Sequence, residues 1–538
     1  MLPVILQITA GITICLILTR NLIKSVVISP LTGAIFLAAV SPVINVEVFV
    51  VIEGLLILTA ILAIRRAEIK MERNLIMIFI FYLAIMAVNL YKEPYVASWF
   101  NQDEPFHLMR SKLYAMTGSP SLDYPFLVHL IGGSCYKLGG EWYLWYRTVL
   151  ALLIPSEGAL IYMIAEELRV NPVLASFFYL LMNPSMIHLF EIGTYSNELL
   201  DALILLDAYL LIRGMMAQAA IVSLMIPISN SLGWIFIAYA CLVSLLMRSK
   251  RILSLIPSII WLFLPLSAGR IQTYAAKAEE GIPLGVKLAV IEGIPLEIWS
   301  FFGASFSLGI AGLLARSSWE RKRRYASLYA LFISFVVIVF AVGSPSLCWR
   351  FILLLPFPLS ITAACLMERF NLLAGGLMRL ASPAVLLLLL LASPPLRGNT
   401  PYQDGIPFID RICKEHRDVN ISTYGASSFP SVFGCSVFKS AALEDLLLNG
   451  SSPILTRKTQ LERLLVEKDP CIKVISSSGS FDLIEYRPEG HQRAAGLYMN
   501  SSFALIYLNA DVIAVTTAYG ALCSLLDPLA ARCPDLTV

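Results

Sequence analysis

The chain has 538 residues, of which 58% are hydrophobic and 14% charged. Soluble globular chains run near 45–50% apolar and about 25% charged, so a soluble enzyme and a disordered protein are both excluded. The net charge of +3 is too small to point to nucleic acid.

A membrane helix needs roughly 20 mostly apolar residues. Such runs fall at 3–19, 25–41, 46–64, 74–91, 143–165, 172–190, 198–213, 216–230, 233–247, 252–268, 295–315, 325–343, 350–366 and 380–395. They predict an α-helical polytopic membrane protein with about 12–14 transmembrane helices. The short Pro-containing piece 216–230 also fits a re-entrant segment. The first run has no basic stretch ahead of it and no small-residue cleavage site, so it reads as an anchor.

Basic residues cluster on alternate loops: Arg20 and Lys24; Arg65, Arg66, Lys70 and Arg73; Arg169; Arg213; Arg248, Lys250 and Arg251; Arg316 and Arg321 to Arg324; Arg369 and Arg379. The positive-inside rule makes these loops cytoplasmic. The other loops are then external, and they carry Asp103, Glu104, Asp123, Glu141, Glu191, Glu198, Glu279 and Glu280. Arg147, close to Trp142 and Trp145, reads as an interfacial anchor.

The same register puts the C-terminal stretch outside. It holds 13 Lys/Arg and 15 Asp/Glu from Leu396 onward, and three N-glycosylation sequons begin at Asn420, Asn449 and Asn500. The expected division is a transmembrane domain, 1–395, with an external loop at 92–142, and an external soluble α/β domain, 396–538. The predicted tail elements are helices at 404–417, 441–448 and 459–466, a strand at 419–424, a hairpin from 472–476 and 481–486, and two strands within 503–516. Cys413, Cys435, Cys471, Cys523 and Cys533 allow at most two disulfides. No cysteine spacing suits zinc, and the five histidines form no cluster.

Chemistry concentrates in the first long external loop: Asn101-Gln-Asp-Glu-Pro-Phe-His-Leu-Met-Arg110, then Leu122-Asp-Tyr-Pro-Phe-Leu127. Residues 104–117 are helix-compatible, with Pro105 in the first turn. Asp103 and Glu104 sit at the helix start, where carboxylates are stabilised. Such a pair can bind a divalent cation through oxygen, or take a proton from an acceptor hydroxyl. The bland alternative is a helix cap with solvated acids.

A span, an acidic pair, an amphipathic helix and an Asp-x-Pro element in that order resemble the GT-C superfamily of membrane glycosyltransferases. Asp103-Glu104 with Asp123-Tyr-Pro-Phe-Leu is similar to the Asp-Glu and Asp-x-x-Pro-Pro-Leu pattern of protein O-mannosyltransferases. Glu104-Pro-Phe-His-Leu-Met-Arg110 resembles a segment of oligosaccharyltransferase catalytic subunits. The first resemblance casts Asp103 as the base; the second gives Glu104 the acidic role. Both imply a polyprenyl- or dolichyl-phosphate sugar donor, a protein or glycolipid acceptor, and substrate contacts at His107, Arg110 and Asp123. Three extra spans precede the motif where the family usually has one. The tail has no Trp, so the Trp-Trp-Asp motif of oligosaccharyltransferase is missing, which argues against acceptor-sequon recognition.

The second external loop, Glu191 to Glu198, re-enters the membrane where GT-C proteins place an acid or Asn; Asn197 and Glu198 match. Asp201 lies about one turn further on the same face. With Glu104, Glu198 would hold a divalent cation, Mg or Mn. In Gly343-Ser-Pro-Ser-Leu-Cys-Trp-Arg350, a lone external Arg350 could grip a lipid phosphate; the alternative is an anchor beside Trp349.

Two other functions compete with glycosyl transfer at the cell membrane. A transporter or flippase would use Glu53, Glu157, Asp201 and Asp207 as ion or proton sites. A non-catalytic scaffold would use the tail as a partner surface. No phosphate-binding Gly-rich loop and no Gly-x-Ser-x-Gly elbow is present.

Overall fold

The computed structural model describes residues 1–69, 72–92, 103–120, 125–183, 195–230, 232–247, 249–250, 252–263, 296–320, 323–343, 352, 354–370, 405–416, 418–422, 436–441, 453–457, 472–478, 481–486, 496–499, 504–508 and 511–516. Two compact units divide the chain. One comprises 1–94 and 110–399; the other comprises 95–109 and 400–538.

The first unit is helical. Its elements are α1 (Leu2–Thr19), α2 (Leu22–Val40), α3 (Val46–Ile64), α4 (Arg73–Lys92), most of α5 (Asp103–Thr117), α6 (Leu127–Lys137), α7 (Trp142–Ala151), α8 (Leu153–Glu167) and α9 (Pro172–Met182). There follow α10 (Tyr195–Arg213), α11 (Met216–Ser229), α12 (Gly233–Leu246), α13 (Leu296–Leu313), α14 (Arg324–Gly343) and α15 (Pro356–Phe370). Among the described residues, Leu2–Thr19, Leu22–Val40, Val46–Ile64 and Trp142–Glu167 are long and apolar enough to cross a membrane. In α3 the apolar side chains Val50, Val51, Leu55, Leu58 and Leu62 are all exposed, and only Phe49 is buried. A helix apolar on every side and bare to its surroundings lies in lipid. The protein is an integral membrane protein.

Local chemistry sets the helix ends. Asn21, Asn45 and Asn171 cap α2, α3 and α9 by accepting from Lys24 N, Val48 N, and both Val173 N and Leu174 N. Within three of the apolar runs a described helix ends or starts at a proline or beside one. The run at 172–190 stops at Met182, because Asn183 precedes Pro184 and a residue before proline avoids the helical region. Within 350–366, α15 starts at Pro356, where a proline ring is tolerated. The described part of the run at 252–268 is one helical turn, Ile252–Leu255, followed by 3-10 turns through Phe263, with Pro257 lacking the N–H that an α-helix would use.

The pair α1–α2 is packed backbone to backbone. A Cβ on Gly33 would stand 1.7 Å from the Gln7 carbonyl oxygen, and one on Gly11 would stand 1.9 Å from that of Ser29. Small residues allow this approach in lipid, where helices gain by van der Waals contact. Pro30 interrupts α2, and Ser29 Oγ donates to Val26 O at 2.7 Å, the carbonyl that the missing N–H would have served. Buried Gln7 donates to Pro30 O at 2.7 Å and Val149 O at 3.0 Å, tying α7 to the pair.

The basic loops gather at one end of this unit. Glu68 N donates to Arg20 O at 2.8 Å and Leu22 N to Glu68 O at 3.1 Å. Lys24 lies 3.4 Å from Glu72 and 3.5 Å from Glu166, and Arg213 lies 2.7 Å from Glu167. Arg323 donates to Leu168 O and Arg169 O, and Glu368 accepts from Asn171 N. At the other end Lys137 Nζ donates to Ser41 O at 2.7 Å. The loops that carry Arg20, Lys24, Arg169, Arg213 and Arg323 thus meet at one end of the unit.

The second unit carries α16 (Gly405–Glu415) and two sheets. Phe408, Ile409, Ile412 and Cys413 form the buried face of α16, and Cys413 is disulfide-bonded. The larger sheet has the order β2-β1-β3-β5-β4: β1 (Asp418–Ser422), β2 (Ser436–Ala441), β3 (Ile454–Arg457), β4 (Ile472–Ser477) and β5 (Phe481–Tyr486). Strand β1 runs parallel to β2 and β3, and β5 pairs antiparallel with β3 and β4. The antiparallel meander β6 (Gly496–Met499), β7 (Ala504–Leu508), β8 (Asp511–Thr516) completes it. The helices expected at 441–448 and 459–466 lie outside the described residues, apart from Ala441, which ends β2.

Gly33→Val is expected to lower stability by about 1–3 kcal/mol or more through overpacking, whereas Gly54→Val on lipid-facing α3, with nothing within 4 Å, should be nearly neutral. Thermal unfolding in detergent compares the two.

Candidate functional site

Helix α5 begins at Asp103, so the acidic pair occupies its first turn. Asp103 and Glu104 belong to the same unit as the tail domain. His107, on the next turn, is buried, and Arg110 is half-buried. His107 and Arg110 are three apart and share a helix face. Asp123 and Arg350 lie outside the described residues.

The helical unit contains a polar nest built from α8, α9 and α10, with α8 packed against both of the others. Glu198, in the first turn of α10, is fully buried. Its carboxyl group lies within hydrogen-bonding reach of that of Glu157 on α8, also fully buried. Among the described residues no amide, hydroxyl or cationic group donates to either oxygen of Glu198. Glu157 is held by Tyr179, whose Oη donates to Oε2 at 2.7 Å. Asn183 Nδ2 donates to Tyr179 Oη at 3.3 Å and to Asp201 Oδ2 at 3.4 Å. Asp201 lines a cavity of ≈ 10 Å³ with Leu354, Pro356 and Phe357, room for one water at most. Leu354, Pro356 and Phe357 therefore stand beside Asp201.

A second polar layer lies at the start of α10. Asn230 Nδ2 donates to Asn197 Oδ1 at 2.5 Å and to Ser196 Oγ at 3.3 Å. Arg147 Nε donates to Tyr195 Oη at 3.4 Å, and Tyr146 packs edge-on against Tyr195 at 5.7 Å. Arg147 is only 2% exposed, so it is a buried member of this layer and not an interfacial anchor. Its flanking tryptophans suggested the membrane surface, but its place one turn into α7 turns it inward.

The remaining intramembrane acids stand apart. Glu53 accepts from Thr9 Oγ1 at 2.6 Å. Asp207 is fully buried on α10, and no donor reaches its carboxyl oxygens among the described residues. Among the described residues no three His, Cys, Asp or Glu side chains are grouped to hold a metal ion. The side chain of Glu104, the expected partner of Glu198 in a cation site, lies outside them. Sequence reasoning singled out Asn197, Glu198 and Asp201 as one group, but it did not bring in Tyr179, Asn183 or Arg147. Tyr179 and Asn183 sit in an apolar run with no motif around them.

No family model and no curated protein matches the chain. Among solved structures it is similar to the crystal structure of ArnT from Cupriavidus metallidurans bound to undecaprenyl phosphate, at 13% identity and a TM-score of 0.47, over 77% of this chain and 98% of that one. The lipid phosphate belongs to that protein, and a likeness at this level assigns neither fold nor activity.

Two carboxyl groups facing each other in a dry bundle destabilise it unless something shared lies between them. Glu198→Gln supplies amide donors to Glu157 and is expected to raise stability by about 1–3 kcal/mol. Tyr179→Phe, which leaves Glu157 without its hydroxyl donor, should lower it by a similar amount. Thermal unfolding of the two variants in detergent checks both signs.

Proposed function

We propose that the protein is a membrane glycosyltransferase of the GT-C type, moving a sugar from a polyprenyl- or dolichyl-phosphate donor to a protein or lipid-linked acceptor on the external side. The observation that carries the reading is Glu198. It is a fully buried carboxyl group at the first turn of α10, where the loop re-enters the bundle. An acid so placed is expensive to keep, and intramembrane acids of this kind default to functional roles. The resemblance assigns its position to an acid or Asn of the sugar-transfer site.

In this reading Asp103 or Glu104 accepts the proton of the acceptor hydroxyl as its oxygen bonds to the anomeric carbon. The bond between that carbon and the phosphate oxygen breaks, and the phosphate leaves on the lipid. Arg350, with Arg147 as a second cation, stabilises the negative charge gathering on the leaving phosphate; such stabilisation is strongest where water is excluded. His107, Arg110, Asp123 and Asn197 position the two substrates. A divalent cation, if used, is held by Glu104 and Glu198, whose oxygens suit Mg or Mn. The tail domain is external in this scheme, and the disulfide at Cys413 supports that side, since disulfides persist in oxidising compartments.

One observation favours a second reading. Asp207, buried in mid-helix with no donor among the described residues, together with the Glu157–Glu198–Asp201 group, is also what a proton- or ion-coupled transporter would carry.

The deciding experiment incubates the purified protein with labelled polyprenyl-phosphate sugars, with Mg, with Mn and with chelator. Transfer or donor hydrolysis is expected in the parent, falling about 10²–10⁴-fold in Asp103→Asn or Glu104→Gln with unfolding temperature unchanged. Absence of turnover with every donor, combined with pH-gradient-driven uptake in proteoliposomes that fails in Asp207→Asn, would install the transporter reading instead.

A further inference from the structure

A cavity of ≈ 720 Å³ lies between the pair α1–α2 and the pair α10–α11. Its volume is typical of sites for small organic ligands. Helices α2 and α10 both pack against α8 and leave the gap between themselves. The cavity is amphipathic along its length. Its deep walls are Ile28, Ile35 and Phe36 from α2, Leu210 from α10, and Val222 and Met225 from α11. Its mouth is charged, with Arg20, Lys24 and Arg213 against Glu68 and Glu72. Two lining residues at the lip, Leu18 and Ile221, are 41% and 57% exposed, so the gap opens sideways onto the surroundings of the bundle.

Two features point to an anion at the mouth. Three cations and two acids line the cavity, one cation in excess; Lys24 is paired with Glu72 in the lining and with Glu166 outside it, and Arg213 is paired with Glu167 outside it. Arg20 has no side-chain partner among the described residues, yet it occupies the left-handed C-cap of α1, with φ 53°. Glycine or asparagine fills such a position at little cost, whereas an arginine there is strained. Strain of this kind accumulates at ligand sites. The mouth belongs to the basic end of the bundle, which the positive-inside rule assigns to the cytoplasm. Basic pockets between helices at that depth are lipid-headgroup sites.

We infer that this cavity binds an anionic phospholipid of the cytoplasmic leaflet, its phosphate on Arg20, Lys24 and Arg213 and its hydrocarbon chain along Ile28, Phe36, Val222 and Met225. The site is separate from the nest around Glu198 and independent of the sugar-transfer reading, because lipid retention is measured without turnover.

Native mass spectrometry of the full-length protein in detergent, titrated with phosphatidylglycerol, phosphatidylcholine, a polyprenyl phosphate and inorganic phosphate, tests it. Phosphatidylglycerol is expected to bind saturably, one per chain, and more tightly than phosphatidylcholine. Arg20→Gly should weaken retention about tenfold, the worth of one charge-assisted contact, while keeping or raising the unfolding temperature, because glycine suits the left-handed backbone. Gln218→Glu, which adds an acid to the lining, should weaken it likewise, and Met225→Trp should block it by filling the wall. Retention equal in the parent and all three variants would overturn the site. So would displacement of the lipid by inorganic phosphate, phosphatidylcholine bound as tightly as phosphatidylglycerol, or preferential retention of polyprenyl phosphate.

Discussion

Charge is expensive in hydrocarbon, and the layout of the helical unit follows from where its charges are put. Most bases and acids are driven to the helix ends. At one end Lys24, Glu72, Glu166, Arg213 and Glu167 tie α2, α8 and α10 to the segment that leads into α4. Once those ends are pinned, the interior has to be satisfied locally. Ser29 covers the carbonyl that Pro30 exposes, and Gln7 spans two backbones. The nest of Glu157, Glu198 and Asp201 is the place where this economy is broken, and a group that breaks it must be retained for some reason other than stability.

The helical architecture was legible because hydrophobic runs and loop charges are one-dimensional signals. The spans at 3–19, 25–41, 46–64 and 74–91 correspond to α1 through α4 within a few residues. Hydropathy does not mark helix ends at proline: at 184, 257 or 356 proline limits the helix at or beside it without lowering hydropathy. In the tail the same holds for period and turn. The hairpin β4–β5 and the strands β7 and β8 could be read from alternation. Strand β3 is four residues long, too short for a period, and β2 carries Ser436, Lys439 and Ser440, whose place is set by parallel pairing to β1.

The site was legible only where chemistry is local. Asp103 and Glu104 could be placed at a helix start because Pro105 and the following spacing say so, and α5 does begin at Asp103. Asn197, Glu198 and Asp201 were grouped because one helix carries them. Glu157 and Tyr179 join them through the packing of α8 against α9 and α10, which leaves no mark in the spacing of any one segment. Arg147 misled for a related reason. An arginine between tryptophans has the same local signature at an interface as in a core, and only the helix facing it decides.

Helix α10 connects the two charged regions of this unit. Its first two turns present Glu198 and Asp201 to the nest, while Leu206, Tyr209, Leu210 and Arg213 line the cavity at the basic end. Between them lies Asp207, buried and without a donor among the described residues. A helix with one use would not need polar groups on both stretches, because each weakens its insertion in lipid. Its composition is therefore better explained by two separate demands, an acid presented at one end and a cation at the other. Its packing against α8 keeps both in register, since Glu157 meets Glu198 from the helix whose last turn places Glu167 against Arg213.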